Sequence, residues 1–135
     1  MQKKVFVDTN IFIYSLYNID QVKHTSCINL LEKALNGKIY FWTTEWVIAE
    51  LVWFLLRKGT DWAKIKKFLV FGVFASKGLD VRGGKWLLPV ISSCDKGEEF
   101  VDMINKHLVS EEKIKTGYSY DKALDNWIGF KRLEP

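Results

Sequence analysis

The sequence predicts an α/β fold, a three-layer α/β/α sandwich around a central and mostly parallel sheet. Short, unbroken apolar runs at residues 5–7 and 39–42 are typical of strands buried on both faces. Segments with apolar residues at helical spacing separate these runs, and such alternation favours parallel strands joined by right-handed helical crossovers. With 135 residues and 48% apolar content, the chain is expected to form a single domain over residues 1–135.

Six helices and five strands are predicted in chain order. Caps and stops set the helix limits: Thr25 begins the second helix, Asn36-Gly37 stops it, and Thr43 or Thr44 begins the third. Pro89 is expected to kink or shorten the fifth helix. The helices are predicted at residues 11–17, 25–35, 45–57, 61–74, 85–92 and 98–109. The strands are predicted at residues 5–7, 39–42, 79–81, 114–120 and 128–133, the last at a sheet edge.

The composition narrows the cellular setting. There is no apolar segment of the kind that forms a signal peptide or crosses a bilayer, so a cytoplasmic protein without membrane contact is expected. Cys27 and Cys94 match no metal or redox spacing and are expected to be reduced and buried. The net charge of +4 is compatible with a polyanionic partner, although many soluble proteins share such an excess.

Asp8 directly follows the first predicted strand. Open α/β sheets bind ligands at the carboxyl ends of their strands, which makes this carboxylate a candidate functional group. Thr9 and Asn10 follow it, and the helix begins with Ile11. All three polar residues also cap helices well, so a purely structural role for Asp8 is the alternative.

Glu50 lies in a helix that is apolar nearly all round, which predicts that the helix is buried. Its neighbours one turn away include Trp46, Val47 and Trp53. A buried carboxylate requires a charged partner. The partner is predicted to be either Arg57, two turns away, or a bound cation.

Two further acids occupy suggestive positions. Asp102 lies beside the apolar face of the helix at residues 98–109, whose inward residues are predicted to include Val101 and Leu108. Asp121 follows the fourth predicted strand, as Asp8 follows the first, and Asp125 competes with it for any role there. If these acids converge on one cleft with Glu50, their mutual repulsion favours a hard divalent cation and metal-assisted attack of water on a phosphodiester.

These residues also resemble a known family. The segments Val7–Phe12, Thr44 with Ile48-Ala49-Glu50-Leu51, Val101-Asp102 and Tyr120-Asp121-Lys122 are similar to those of PIN domains, above all the small VapC-type toxins. The resemblance covers essentially the whole chain and depends on the ordered set of four acids. The chain departs from the usual pattern after Asp102, where Met103-Ile104-Asn105 replaces small residues, and after Asp121, where Lys122-Ala123-Leu124 replaces a second acid and phenylalanine.

The resemblance implies a Rossmann-like sandwich and a ribonuclease that requires Mg²⁺ or Mn²⁺ and cleaves single-stranded or structured RNA. It implies that one or two cations are held by the catalytic acids Asp8, Glu50, Asp102 and Asp121. Thr9, Asn10 and Thr44 would support the cleft. It further implies a small antitoxin partner and a homodimer. Lysines and arginines around such a cleft would contact flanking phosphates, with Arg57, Lys58, Arg82 and Lys122 as candidates.

Three other functions compete with the nuclease. The first is a PIN-like module that binds RNA or protein without cutting it. The second is a phosphotransfer enzyme with Asp8 as nucleophile, as in haloacid-dehalogenase-like proteins, but Asn10 stands where their second Asp is expected. The third is structural, with Glu50 and Arg57 as a buried pair and the Asp residues as caps.

Overall fold

The computed structural model describes residues 4–135 and has a mixed α/β fold with small parallel sheets. Strands β1 (Val5–Phe6), β2 (Phe41–Thr43) and β3 (Leu79–Val81) form one parallel sheet in the order β1-β2-β3. Strands β4 (Thr116–Tyr118) and β5 (Lys131–Leu133) form a second parallel pair. All five predicted strands are therefore present, each close to its predicted position.

Helices connect the strands of the first sheet, as the sequence predicts. The α-helices are α1 (Thr9–Leu16), α2 (Gln21–Leu35), α3 (Glu45–Arg57), α4 (Trp62–Lys67), α5 (Gly84–Ser93) and α6 (Phe100–Glu111). A π-helix, Phe68–Phe74, continues α4, and 3₁₀ turns cover Gly97–Glu99 and Lys122–Asn126. Helix α2 begins four residues earlier than predicted because the Asp20 carboxylate, not Thr25, accepts a hydrogen bond at its start (from Lys23 N, 3.0 Å). Among the described residues, no helix has the length and apolarity needed to cross a membrane.

Strand β1 is an edge strand, so the prediction that it is buried on both faces is wrong for two of its residues. Val7 is 2% exposed, but Val5 and Phe6 are 49% and 55% exposed. The N–H groups of Val5 and Val7 donate to carbonyls of the β2 segment, so the amide of Phe6 points to the opposite edge, which pairs with no strand of residues 4–135. A continuous apolar run does not distinguish a central strand from such an edge strand.

The chain after α6 folds around the pair of strands β4 and β5. Arg132 holds it together: its guanidinium donates to the Asp125 carboxylate (2.8 Å), the Ser119 carbonyl (2.9 Å) and the Glu134 carboxylate (2.8 Å). The hydrogen bond from Arg132 lowers the pKa of Asp125 below its ordinary value. Strand β4 pairs with β5 and not with β1, so the segment that carries Asp121 does not extend the first sheet.

The core lies between the first sheet and the helices, with α3 at its centre. Val47, Ile48, Leu51, Val52 and Leu55 of α3 are all buried. They pack with buried residues of α1, the π-helix, α5 and α6. Both cysteines are buried and unpaired, as predicted.

Candidate functional site

Asp8 and Thr44 are neighbours at the carboxyl edge of the first sheet. The pairs Val5–Phe41 and Phe6–Trp42 fix the register, and its continuation places Asp8 opposite Thr44. Each residue caps the helix that follows: the Asp8 carboxylate accepts from Thr9 N (2.8 Å), and the Thr44 hydroxyl accepts from Val47 N (3.2 Å). Asp8 is nonetheless exposed, so the cap leaves the carboxylate open to a ligand.

Buried hydroxyl groups lie under this edge. Thr43 donates to the Val7 carbonyl (2.9 Å) and so ties β1 to β2 beyond their backbone hydrogen bonds. The Thr9 hydroxyl is buried and has no hydrogen-bond partner among residues 4–135. A buried polar group without a partner costs about 1–3 kcal/mol. Asn10 is exposed at the first turn of α1. Of the three residues predicted to support the cleft, Asn10 is therefore exposed, Thr44 is half-buried and Thr9 is buried.

An ion pair lies at the carboxyl edge of the first sheet, on the side of Thr44 that is opposite to Asp8. The β2–β3 register pairs Thr43 with Val81, which places Arg82 beside Thr44. The Arg82 guanidinium shares its Nε–H between the two oxygens of the Glu45 carboxylate (2.8 and 3.1 Å) and donates a second hydrogen bond from Nη2. This contact lowers the pKa of Glu45. Arg82, predicted to contact substrate phosphate, is thus engaged by an acid of the same chain.

Glu45→Gln is expected to reduce the loss of stability on acidification. Because the pKa of Glu45 is lower in the folded than in the unfolded chain, its ionisation stabilises the fold above its unfolded pKa of 4.5. That stabilisation disappears as the pH falls through the folded pKa. Urea unfolding between about pH 7 and about pH 3 should show wild type and variant converging at low pH. A constant difference across this range would contradict the role of Glu45.

Glu50 is exposed, and the prediction that it is buried is wrong. It lies on the outer face of α3 with Trp46 and Trp53, which are 70% and 57% exposed. The predicted Glu50–Arg57 ion pair is also absent among the described residues. Instead, the Arg57 guanidinium lies over the Trp53 ring, 4.5 Å from its centroid. The two tryptophans made this face look apolar in the sequence, although only the opposite face of α3 enters the core.

Asp102 is exposed in the first turn of α6. The buried residues of this helix are Phe100 and Ile104. Val101 and Leu108, both predicted to point inward, are 47% and 43% exposed. Helix α6 thus buries a narrower stripe than its apolar residues predicted.

The two candidates for the fourth acid have structural partners. The Asp121 carboxylate caps the 3₁₀ turn by accepting from Ala123 N (2.9 Å), and Asp125 is paired with Arg132. The remaining phosphate-contact candidates lie on two elements: the Lys58 ammonium lies over the Phe54 ring (5.6 Å), and Lys122 is exposed at the start of the 3₁₀ turn. Asp121 stays exposed, so its cap does not prevent a second interaction.

The structure does not assemble the acids into a ligand set. Within residues 4–135, no three His, Cys, Asp or Glu side chains are grouped closely enough to hold a metal ion together. The chemistry of Asp8, Glu50 and Asp102 suits a hard divalent cation, since all are carboxylates, and Mg²⁺ is often held by only one or two carboxylates together with water. Asp121 follows β4, which belongs to the second sheet, whereas Asp8 follows β1 of the first.

Comparison with known proteins adds no relative, since no protein-family model and no curated protein matches the chain. The resemblance to PIN domains therefore depends on the sequence motifs alone.

The sequence analysis missed two features of the surface: the Glu45–Arg82 pair and the exposure of Trp46 and Trp53. Alternating Trp and charged residues along α3 at positions 46, 50, 53 and 57 was the pattern that indicated an outer face.

Proposed function

We propose that the chain is a VapC-type, PIN-like ribonuclease that cleaves phosphodiester bonds of single-stranded RNA and requires Mg²⁺ or Mn²⁺. We also propose that its first sheet and helices belong to the three-layer sandwich of that family. The observation that carries the proposal is the position of Asp8, an exposed carboxylate fixed at the carboxyl end of a parallel strand with Thr44 beside it. Ligands of open α/β sheets bind at this edge.

The Asp8 carboxylate is suited to act on a substrate because the helix cap orients it. One of its oxygens accepts the Thr9 N–H, and the other has no hydrogen-bond partner among residues 4–135. Glu50 and Asp102 are exposed and have no ion-pair partner in the described part of the chain. These two acids are therefore also available to a ligand.

The basic excess of the chain supports an anionic substrate. Arg57 and Lys58 lie over aromatic rings at the end of α3, where they present charge without an acidic partner among residues 4–135. Such cations attract phosphates, and flat rings beside them suit unpaired bases. The antitoxin and the homodimer that the resemblance implies remain predictions.

A second function, a PIN-like module that binds RNA or protein without cutting it, is favoured by one observation. The acids do not form a common ligand set in this structure. A binding module needs no metal ligand, whereas a metal-dependent nuclease needs at least one or two carboxylates that hold its cation. The two functions differ in whether a divalent cation binds at the acids.

Thermal denaturation with and without Mn²⁺ separates these functions. If the nuclease proposal holds, Mn²⁺ at about 100 times its dissociation constant raises the melting temperature by about 5 °C or more, because a ligand of the folded state stabilises it. Asp8→Asn should remove most of this shift, and Asp20→Asn, the same change at the cap of α2, should preserve it. An identical shift in wild type and both variants, or none in any, would favour the binding module.

A further inference from the structure

A cavity of about 450 Å³ lies between the carboxyl-terminal half of α6 and the turn that precedes β5. It is separate from the sheet edge that carries Asp8. Its lining combines three lysines with aromatic and aliphatic residues, chiefly Lys106, Lys113, Lys115, Trp127, Ile128 and Phe130. We call it the α6 cavity. Its volume and mixed lining suit a ligand with both a charged and a flat apolar part.

The three lysines of the α6 cavity have no ion-pair partner within residues 4–135. The helix dipole favours cations at the end of α6, but it does not account for Lys115, which lies beyond the helix. Three lysines around one cavity therefore indicate an anionic ligand.

The backbone at Lys113 supports a role for its side chain. Lys113 has φ of 57°, the left-handed conformation that glycine usually adopts after a helix. A lysine in this conformation is strained. The chain thus has a lysine at a position where glycine would fit the backbone better, and that lysine lines the cavity.

The aromatic part of the lining is preformed. The rings of Trp127 and Phe130 contact each other, with centroids 5.2 Å apart and planes inclined by 54°. Between them, Gly129 turns the chain with φ of 73°, and Ile128 is 99% exposed. Both rings are partly buried, which holds them in place beside the lysines.

We propose that the α6 cavity binds one nucleotide unit of a single-stranded RNA, with the base against the Trp127–Phe130 pair and the phosphates at the lysines. Lysines beside aromatic rings are the usual elements of single-strand binding surfaces. Asp102 lies one helical turn before Lys106, so a strand bound here passes one of the proposed catalytic acids. The choice of RNA rests on the proposed function, whereas the nucleotide chemistry follows from the lining.

Fluorescence polarisation with a labelled single strand of about 12 nucleotides tests this proposal. EDTA is present throughout, so cleavage does not interfere. Lys106→Met with Lys113→Met is expected to raise the dissociation constant about tenfold and to reduce the salt slope by about 1.4. The matched control is Lys33→Met with Lys38→Met, two exposed lysines on α2 and the next turn, and it should change the dissociation constant less than about twofold.

The Lys113→Gly variant tests whether weaker binding comes from the loss of the lysine or from damage to the fold. Glycine relieves the backbone strain, so this variant should melt at a higher temperature than wild type and yet bind the strand more weakly. Weaker binding together with a lower melting temperature would count against the proposal.

Several outcomes would overturn the α6 cavity as a strand-binding site. The first is that both double variants raise the dissociation constant equally. The second is that a free mononucleotide binds more tightly than the single strand. The third is that a duplex of the same sequence binds as tightly as the single strand. The nuclease proposal fails separately. If the wild-type protein binds through these lysines but never cuts RNA, the cavity proposal is supported and the nuclease proposal is contradicted. If the protein cuts RNA and the lysine variant binds as tightly as wild type, the nuclease proposal is supported and the cavity proposal is contradicted.

Discussion

Replacing Asp8 by Asn is expected to lower the rate of metal-dependent RNA cleavage by about 10³-fold or more, with little change in stability. The substitution removes the negative charge at the sheet edge and keeps the shape of the side chain. Asparagine also caps helices as well as aspartate does, so its amide oxygen can still accept the Thr9 N–H. The measurement is the initial rate of cleavage of a labelled single strand, together with the melting temperature.

Asp20→Asn is the matched control for this change. Asp20 caps α2 through Lys23 N (3.0 Å), as Asp8 caps α1 through Thr9 N. The same chemical change there should leave the cleavage rate within about twofold of wild type, because Asp20 follows the far end of α1 from Asp8. An Asp8→Asn protein that cuts RNA at the wild-type rate would show that Asp8 is only a helix cap.

Gly78→Ala is expected to destabilise the fold by about 3 kcal/mol or more. Gly78 lies where the end of α2 meets the starts of β2 and β3, and its N–H donates to the Ala34 carbonyl (2.8 Å). A Cβ at this position would lie 2.0 Å from the Ile39 carbonyl oxygen and 2.6 Å from that of Ala34. Both contacts are with backbone atoms, so no side-chain rotation relieves them. Urea unfolding measures the loss.

Gly84→Ala provides the comparison for that experiment. Gly84 begins α5, and a Cβ there would have no heavy atom nearer than 3.5 Å. Alanine favours the helix over glycine, so stability should stay the same or rise by up to about 1 kcal/mol. Equal unfolding free energies for Gly78→Ala and wild type would contradict the close packing at the α2–β2–β3 junction.

Element type and order follow from the sequence because local patterns determine them. The strand at Leu79–Val81 and the helix Glu45–Arg57 occur where apolar runs, caps and glycine stops predict them. The pairing of strands does not follow, since it depends on contacts between distant segments. Val5 and Phe6 look like residues of a central strand, yet within the described residues one edge of β1 has no partner strand.

The candidate site could be predicted in part for the same reason. The position of Asp8 depends on one strand and one helix, both visible in the sequence, and its cap and its neighbour Thr44 are present. The environment of Glu50 depends on which face of α3 enters the core. Tryptophans are large and apolar but often remain partly exposed, so Trp46 and Trp53 gave the wrong face. The convergence of the acids requires the correct placement of every element that carries one, which local patterns do not supply.

The most direct test of the proposed function is cleavage of a labelled single-stranded RNA by the wild-type protein, with Mn²⁺ in one reaction and EDTA in the other. The reaction with Mn²⁺ should give shorter products at a rate proportional to protein concentration, and the reaction with EDTA should give none. Intact RNA in both reactions, from a protein that melts cooperatively and binds the strand, would contradict the nuclease and leave an RNA-binding module.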